Sequence, residues 1–447
     1  MRWASSITLL ASLAASSAGC SSSKDTMSQA GSGGSGAGGT PSSQAGAGGN
    51  TAATGGTSPA AGPAGASGST TLSSGGASAG GAPPGGTGAS GGASGTPGNG
   101  GTAGSGNAGA AGSGTGDAGP LVVPVPLPDG TPGIGFDDLV YSPALKKVVA
   151  PAGRTGDVDL VDPMTLEVTR IGGFSKTTMF TLGKHRSGST AADVDDTGSK
   201  IYAIDNETKT LRVVDPATKM ITFTSMLAAP PDYVRWIKTT NEVWVSGPNN
   251  PGVMASANPG IEVFTLSPGA APVHAALIPI SNGPEGLAID NMRKRLYTDS
   301  FQGQTYSVDV EKRTVVATWP NGCPGLTVDL QVDEARGFVM VPCANPGKVV
   351  VLDAGNGGKK LGELSTGAGV DVCAYNPTLH HFYMAGQTSA DLSIVGVSAA
   401  GVPTLLGKIP TAMGSQMVAA DEFGNAWVGD PGGGRLLKIR DTYPATQ

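Results

Sequence analysis

From Phe136 onward the sequence repeats one pattern: a short apolar strand, a polar turn, a second strand, a loop, then a third and a fourth strand. The first apolar residue of each second strand falls at Val148, Ile201, Val243, Leu296, Phe338, Phe382 and Ala426, at spacings of 53, 42, 53, 42, 44 and 44 residues. An Asp closes the third strand 14, 14, 13 and 15 residues after the index, at Asp162, Asp215, Asp309 and Asp353. Gly396 and Arg440 hold the same place in units six and seven, and only unit three breaks the interval, through an insertion over residues 247–260. Within strands the polarity alternates, as in Lys209 to Val214, and no stretch shows a helix-length 3.6 periodicity. A four-strand unit recurring about every 46 residues cannot bury its own faces and stacks around an axis as a propeller. The predicted fold is all-β, a seven-bladed β-propeller of four-stranded antiparallel blades. A β-sandwich with chance periodicity is the alternative, and seven phased units argue against it.

The two ends of the repeat complete each other. The last unit shows only three strands, at residues 416–420, 426–429 and 436–440, whereas residues 121–127 (LVVPVPL) precede unit one and belong to no unit. That segment is expected to be the outer strand of the last blade, closing the ring. Its prolines suit an edge strand, where a missing N–H costs nothing.

The phrases KIYAIDNETKTLRVVDPATKMIT and RLYTDSFQGQTYSVDVEKRTVVATW resemble the YVTN-type, YncE-like seven-bladed propeller repeat, over essentially residues 136–441. The resemblance implies the fold. It implies no activity, because such relatives include binding proteins, surface-layer modules and quinoprotein-like or lactonase-like enzymes.

The N-terminal quarter has a different composition. Residues 21–119 hold 34 Gly, no aromatic residue and three charges, Lys24, Asp25 and Asp117. Such a segment buries too little apolar surface to offset the entropy of ordering it and is expected to be disordered. Its G-x-G patterns have no flanking strand and helix, which removes the dinucleotide-binding reading. Before it stand Arg2, an apolar run at residues 7–15 and Ser17-Ala18-Gly19-Cys20, which resemble a bacterial lipoprotein signal with Cys20 as the lipidated residue. The run is too short to span a bilayer. The expected organisation is a signal peptide (1–19), a lipidated Cys20 with a Gly/Ser/Ala-rich linker (20–119), and the propeller (120–447). The alternative is ordinary cleavage and a free secreted protein. The linker would reach about 55 Å as a random coil. Ser21 after the Cys reads as an outer-membrane or cell-surface address.

Of 28 Lys+Arg and 34 Asp+Glu, no basic cluster supplies a phosphate-binding footprint, so nucleic acid is excluded as a partner. Unit five reads CPGLTVDLQVDEARGFVMVPC, a hairpin that sets Cys323 opposite Cys343, and an exported protein would form a disulfide there. Cys373 is left as a buried small apolar residue. No HExxH, CxxCH or folded-region GxSxG occurs. His274 is read as surface, and His380 and His381 as solvated turn residues. His185, in the long connection at residues 172–189, is the one His expected on the binding face. Asp193-Val-Asp195-Asp196-Thr-Gly198 superficially resembles a calcium loop, but turn chemistry suits it better.

Superposing the units aligns Asp137, Thr190, Asp232, Glu285, Val328 (with Asp329 beside it), Asp371 and Gln416 at the head of the innermost strands. This register predicts a ring of oxygen ligands at the channel mouth, which would raise carboxyl pKa values or take up a divalent cation such as calcium. The 282–287 stretch (NGPEGL) faintly resembles an element of senescence-marker/gluconolactonase propellers, which hold a metal in this channel. Three functions follow. The first is a non-catalytic, lipid-anchored, monomeric propeller binding an envelope protein or small-molecule ligand on its loop face. The second is a metal-dependent lactonase or esterase using the ring carboxylates. The third is an architectural envelope protein.

Overall fold

The computed structural model describes residues 121–249 and 256–447. The expectations for Cys20, the signal peptide and the linker lie outside the described residues, as does the tip of the unit-three insertion. Among the described residues the chain forms seven four-stranded antiparallel sheets, six of them built from four strands consecutive in sequence. The seventh joins Val122–Pro126 to Arg435–Arg440, with Val122 opposite Ile439 and Pro126 opposite Arg435. The ring is therefore closed by its two ends, with Pro124 and Pro126 on the outer edge of the sheet, where no further strand needs their N–H.

Burial follows position in the blade. The second strands Glu242–Gly247, Phe338–Cys343, His381–Gly386 and Asn425–Asp430 are buried at every residue, because neighbouring blades cover both of their faces. The outermost strands Met220–Met226 and Thr314–Pro320 alternate, with one face to solvent. Trp244, Trp427, Tyr297 and Phe382 fill the inter-blade layers. Each such side chain contributes about 1.5–3 kcal/mol or more on burial.

The Asp that ends the third strand is turn chemistry. Asp162 Oδ1 accepts from the N–H of Met164 and Thr165 at 2.8 and 2.9 Å, and Asp215 and Asp309 do the same for their turns. Asp195 likewise accepts from Ser199 N–H at 2.8 Å, which makes the Asp193–Gly198 segment a turn and not a calcium loop.

Cys323 and Cys343 form the disulfide, with Cα atoms 5.4 Å apart, and Cys373 is free and buried. His274 is surface-exposed, on the outer strand Val273–Pro279. The reading of His381 as a solvated turn residue is overturned, whereas His380 keeps a third of its side chain exposed. His381 is fully buried beneath the C-terminal residues, its Nδ1 2.7 Å from Asp441 Oδ2 and its Nε2 3.1 Å from the Pro444 carbonyl. His380 is half-buried, with Nδ1 2.9 Å from the Tyr375 hydroxyl. A tail outside the repeat covers this turn, which periodicity could not reveal.

Candidate functional site

The superposed register is a real line of the structure. Asp138, Gly286, Asp329 and Val372 each follow a ring position, and each donates its N–H to the ring-position carbonyl of the next blade: Thr190, Val328, Asp371 and Gln416, at 2.8–3.1 Å. These bonds hold the innermost strands at one height and gather their head residues around the axis.

The ring positions do not act alike. Thr190 and Val328 are buried and serve through their carbonyls. Asp137, Asp232, Glu285, Asp371 and Gln416 form the mouth. Two further residues reach it from the 172–189 connection. His185 Nδ1 accepts from Gln416 Nε2 at 2.7 Å, which leaves His185 Nε2 facing Asp137 Oδ1 at 3.9 Å. Arg186 Nη1 donates to Asp232 Oδ1 at 3.1 Å. Like charges gathered in the ring thus recruit a cation from the chain itself. Sequence reasoning singled out His185 and missed Arg186, although the Lys184-His185-Arg186 triplet was its signal.

Four carboxyls against one guanidinium leave an excess of negative charge. Burial, then Asp232, drives Asp137 well above the usual carboxyl range, with Arg186 opposing. Burial and Asp232 do the same to Glu285. Burial also raises Asp232 and Asp371, against Arg186 and a Glu285 hydrogen bond in the first and against His185 in the second. Burial lowers His185, so its ring is neutral. Asp137 Oδ2, Asp232 Oδ2 and Glu285 Oε2 are buried and lack a hydrogen-bond partner among the described residues. A buried acceptor without a donor is costly, and it is the usual mark of a group kept for a proton, an ion or a ligand. Donor atoms of Asp137, His185 and Asp371 lie within 4.8 Å of one another.

Asp329 belongs to a second level, deeper in the channel. Its Oδ2 accepts from Cys373 N–H at 3.0 Å, and its carboxyl lies so close to Gly286 that a Cβ there would come within 2.1 Å of Oδ1. Burial pushes it up to about 7, with Arg235 pulling the other way. Arg235 anchors this level through a two-pronged pair with Asp138, at 2.6 and 3.2 Å. Asp193 Oδ2 accepts from Trp236 N–H at 2.7 Å. Below Arg235 a polar cavity of about 450 Å³ opens on the face opposite the long connection. Tyr233 stands between the levels, its hydroxyl buried without a partner among the described residues and its ring 5.6 Å from Arg235.

Around the mouth, the 172–189 connection exposes Met179 and Leu182, and the Leu182 side chain reaches over Gly414 beside the exposed Met413. A cavity of about 180 Å³ runs beneath the connection and is lined by Arg154, Phe180, Lys184 and His185.

No family model and no curated protein matches the chain. Solved structures are similar in fold. Kuenenia stuttgartiensis hydrazine synthase is 16% identical with a TM-score of 0.54, over 70% of this chain and 96% of that one. A chain of the mitotic checkpoint complex is 13% identical with a TM-score of 0.57, over 72% and 93%. The Myceliophteria thermophila Cps50 (Swd1) β-propeller domain is 11% identical with a TM-score of 0.54, over 69% and 98%. At such identities the likeness carries the fold alone, and with the seven sheets it makes the described chain a seven-bladed β-propeller.

Proposed function

We propose that the protein is a non-catalytic binding propeller of the cell envelope, held by a lipid on Cys20 and a long linker, that takes up a ligand or protein partner on its loop face. One observation carries this reading: the 172–189 connection brings to one place a charged mouth with unpartnered carboxylate oxygens and an apolar rim of Met179, Leu182 and Met413. Rigid blades that present an irregular loop are where binding residues concentrate. The narrower YVTN-type assignment is part of the proposal and rests on the quoted repeat phrases.

Photo-crosslinking in intact cells tests the reading. A photoreactive residue at Met179 or Met413 should trap a defined partner, and one at Met220, on the outer edge of blade two, should not. Equal labelling at all three, or none, would overturn loop-face binding and leave the architectural role. Cys20→Ala should move the protein out of the membrane fraction; retention would overturn the anchor. The hydrolase reading is favoured by His185 lying beside Asp137 and Asp371. It predicts esterase or lactonase turnover that Asp371→Asn abolishes.

A further inference from the structure

We propose that Asp137, His185 and Asp371 form a site for one divalent first-row transition cation, zinc or manganese, in the channel mouth, with Gln416 as the positioning residue behind the histidine. The inference rests on reading this mouth as the ligand-bearing end of the molecule.

The donors are of the right kind and nearly in place. Ligand atoms about 2.1 Å from a metal are separated by about 3.4 Å in a tetrahedral site and by no more than about 4.2 Å. His185 Nε2 and Asp137 Oδ1 are 3.9 Å apart, and all three residues offer donors within 4.8 Å. Closing on a tetrahedral ion takes a contraction of about 0.5 Å between His185 and Asp137 and of up to about 1.4 Å for the widest pair, within reach of side-chain rotation on the 172–189 connection. Asp137 is 3% exposed, and its Oδ2, beside the Oδ1 that faces His185, has no hydrogen-bond partner among the described residues, so the carboxylate carries a desolvated, uncommitted oxygen.

The charges also balance. Arg186 pairs with Asp232 and also acts on Asp137 and Asp371, but one guanidinium stands against four carboxyls, so the mouth keeps an excess of negative charge that a doubly charged ion would offset. The imidazole decides the metal class. Calcium and magnesium prefer all-oxygen sets, whereas zinc and manganese accept one imidazole with carboxylates. This revises the expectation of calcium, which was drawn from the strand-borne oxygens before a loop histidine joined them.

Gln416 supplies the outer shell. For His185 Nε2 to bind a metal, its proton must move to Nδ1. The Gln416 amide, now donating through Nε2 at 2.7 Å, then turns over so that Oε1 accepts that proton. The cavity beneath the 172–189 connection gives the ion an entry path to His185 from the loop face.

The test is calorimetric titration and equilibrium dialysis of the purified full-length chain with zinc, manganese, calcium and magnesium chlorides. One zinc or manganese should bind per chain, and calcium should not compete at equal concentration. Asp371→Asn and His185→Ala should each weaken binding at least tenfold, and Gln416→Ala by about 10–100-fold. His274→Ala, a histidine on the outer rim, should change nothing, and circular dichroism melts report whether each variant folds. No saturable zinc or manganese binding overturns the proposal, as does binding that survives both Asp371→Asn and His185→Ala, or an equal response to calcium. Crosslinking at Met179 is independent of these outcomes. A failed titration with intact crosslinking removes the metal only, and the reverse removes the partner only.

Discussion

The channel holds two clusters of acids, each with one arginine, and they are built differently. In the deeper one, Arg235 comes from an inner strand and grips Asp138 with two nitrogens, and the neighbouring Asp193 and Asp329 accept backbone N–H groups from adjacent blades. Each of these charges ties one blade to another, and a single oxygen of the cluster, Asp329 Oδ1, lacks a donor among the described residues. In the outer one, Arg186 comes from a loop and donates from Nη1 to Asp232 at 3.1 Å, in a mouth where three carboxylate oxygens have no donor among the described residues. The first cluster reads as a clamp around the axis, and the second as a site. The same residue types are spent on rigidity at one level and held open at the other.

Removing each arginine should separate them most sharply. Arg235→Met strands Asp138 as a buried, unpaired charge and should cost about 3–5 kcal/mol. Arg186→Met removes a side chain that is 24% exposed from carboxyls that burial already pushes toward the protonated state, so the cost should be smaller, about 1–2 kcal/mol. Urea denaturation at pH 7 measures both. Equal losses would erase the distinction and make the outer cluster structural too.

A buried carboxyl outside both clusters supplies the baseline for an acid with no functional setting. Asp159, on the strand Asp157–Val161, is fully buried with neither oxygen bonded among the described residues. Burial and then Asp157 push it up to about 8, and Arg170 opposes. The folded state holds this proton more tightly than the unfolded chain does. Its stabilising effect is therefore complete below about pH 4 and lost as pH rises toward 8, at about 1.4 kcal/mol per unit. Asp159→Asn cannot ionise. Wild type should lose about 2 kcal/mol relative to this variant between pH 5.5 and 7.0 in denaturation curves, and parallel pH profiles would show that Asp159 titrates normally.

The blades, their phase, the closing strand and the disulfide were legible because each is a periodic or pairwise constraint: Val148 to Ala426 mark the second strands, and residues 121–127 supplied the missing edge. The ring register was legible for the same reason. Its chemistry was only half so. His185 and Arg186 enter from a connection with no counterpart in other units, so superposition could not place them, and the tail that buries His381 is equally unique. The deeper cluster had a readable signal that went unused: three residues beyond the ring position stand Asp193, Arg235 and Gln331, polar residues in an inner strand where apolar ones would otherwise pack.

Asp329 and Asp371 sharpen this lesson with the smallest effect. In sequence they share the ring, and in the structure Asp329 lies one level down, bonded to Cys373 N–H and pressed against Gly286. Asp329→Asn keeps an acceptor oxygen for that N–H, so stability should change by about 1 kcal/mol or less. Because Asp329 contributes nothing to the mouth, zinc affinity should shift less than twofold, whereas Asp371→Asn should lower it at least tenfold with a similarly small change in stability. Comparable losses of affinity in both variants would return Asp329 to the ring and merge the two levels into one acidic channel.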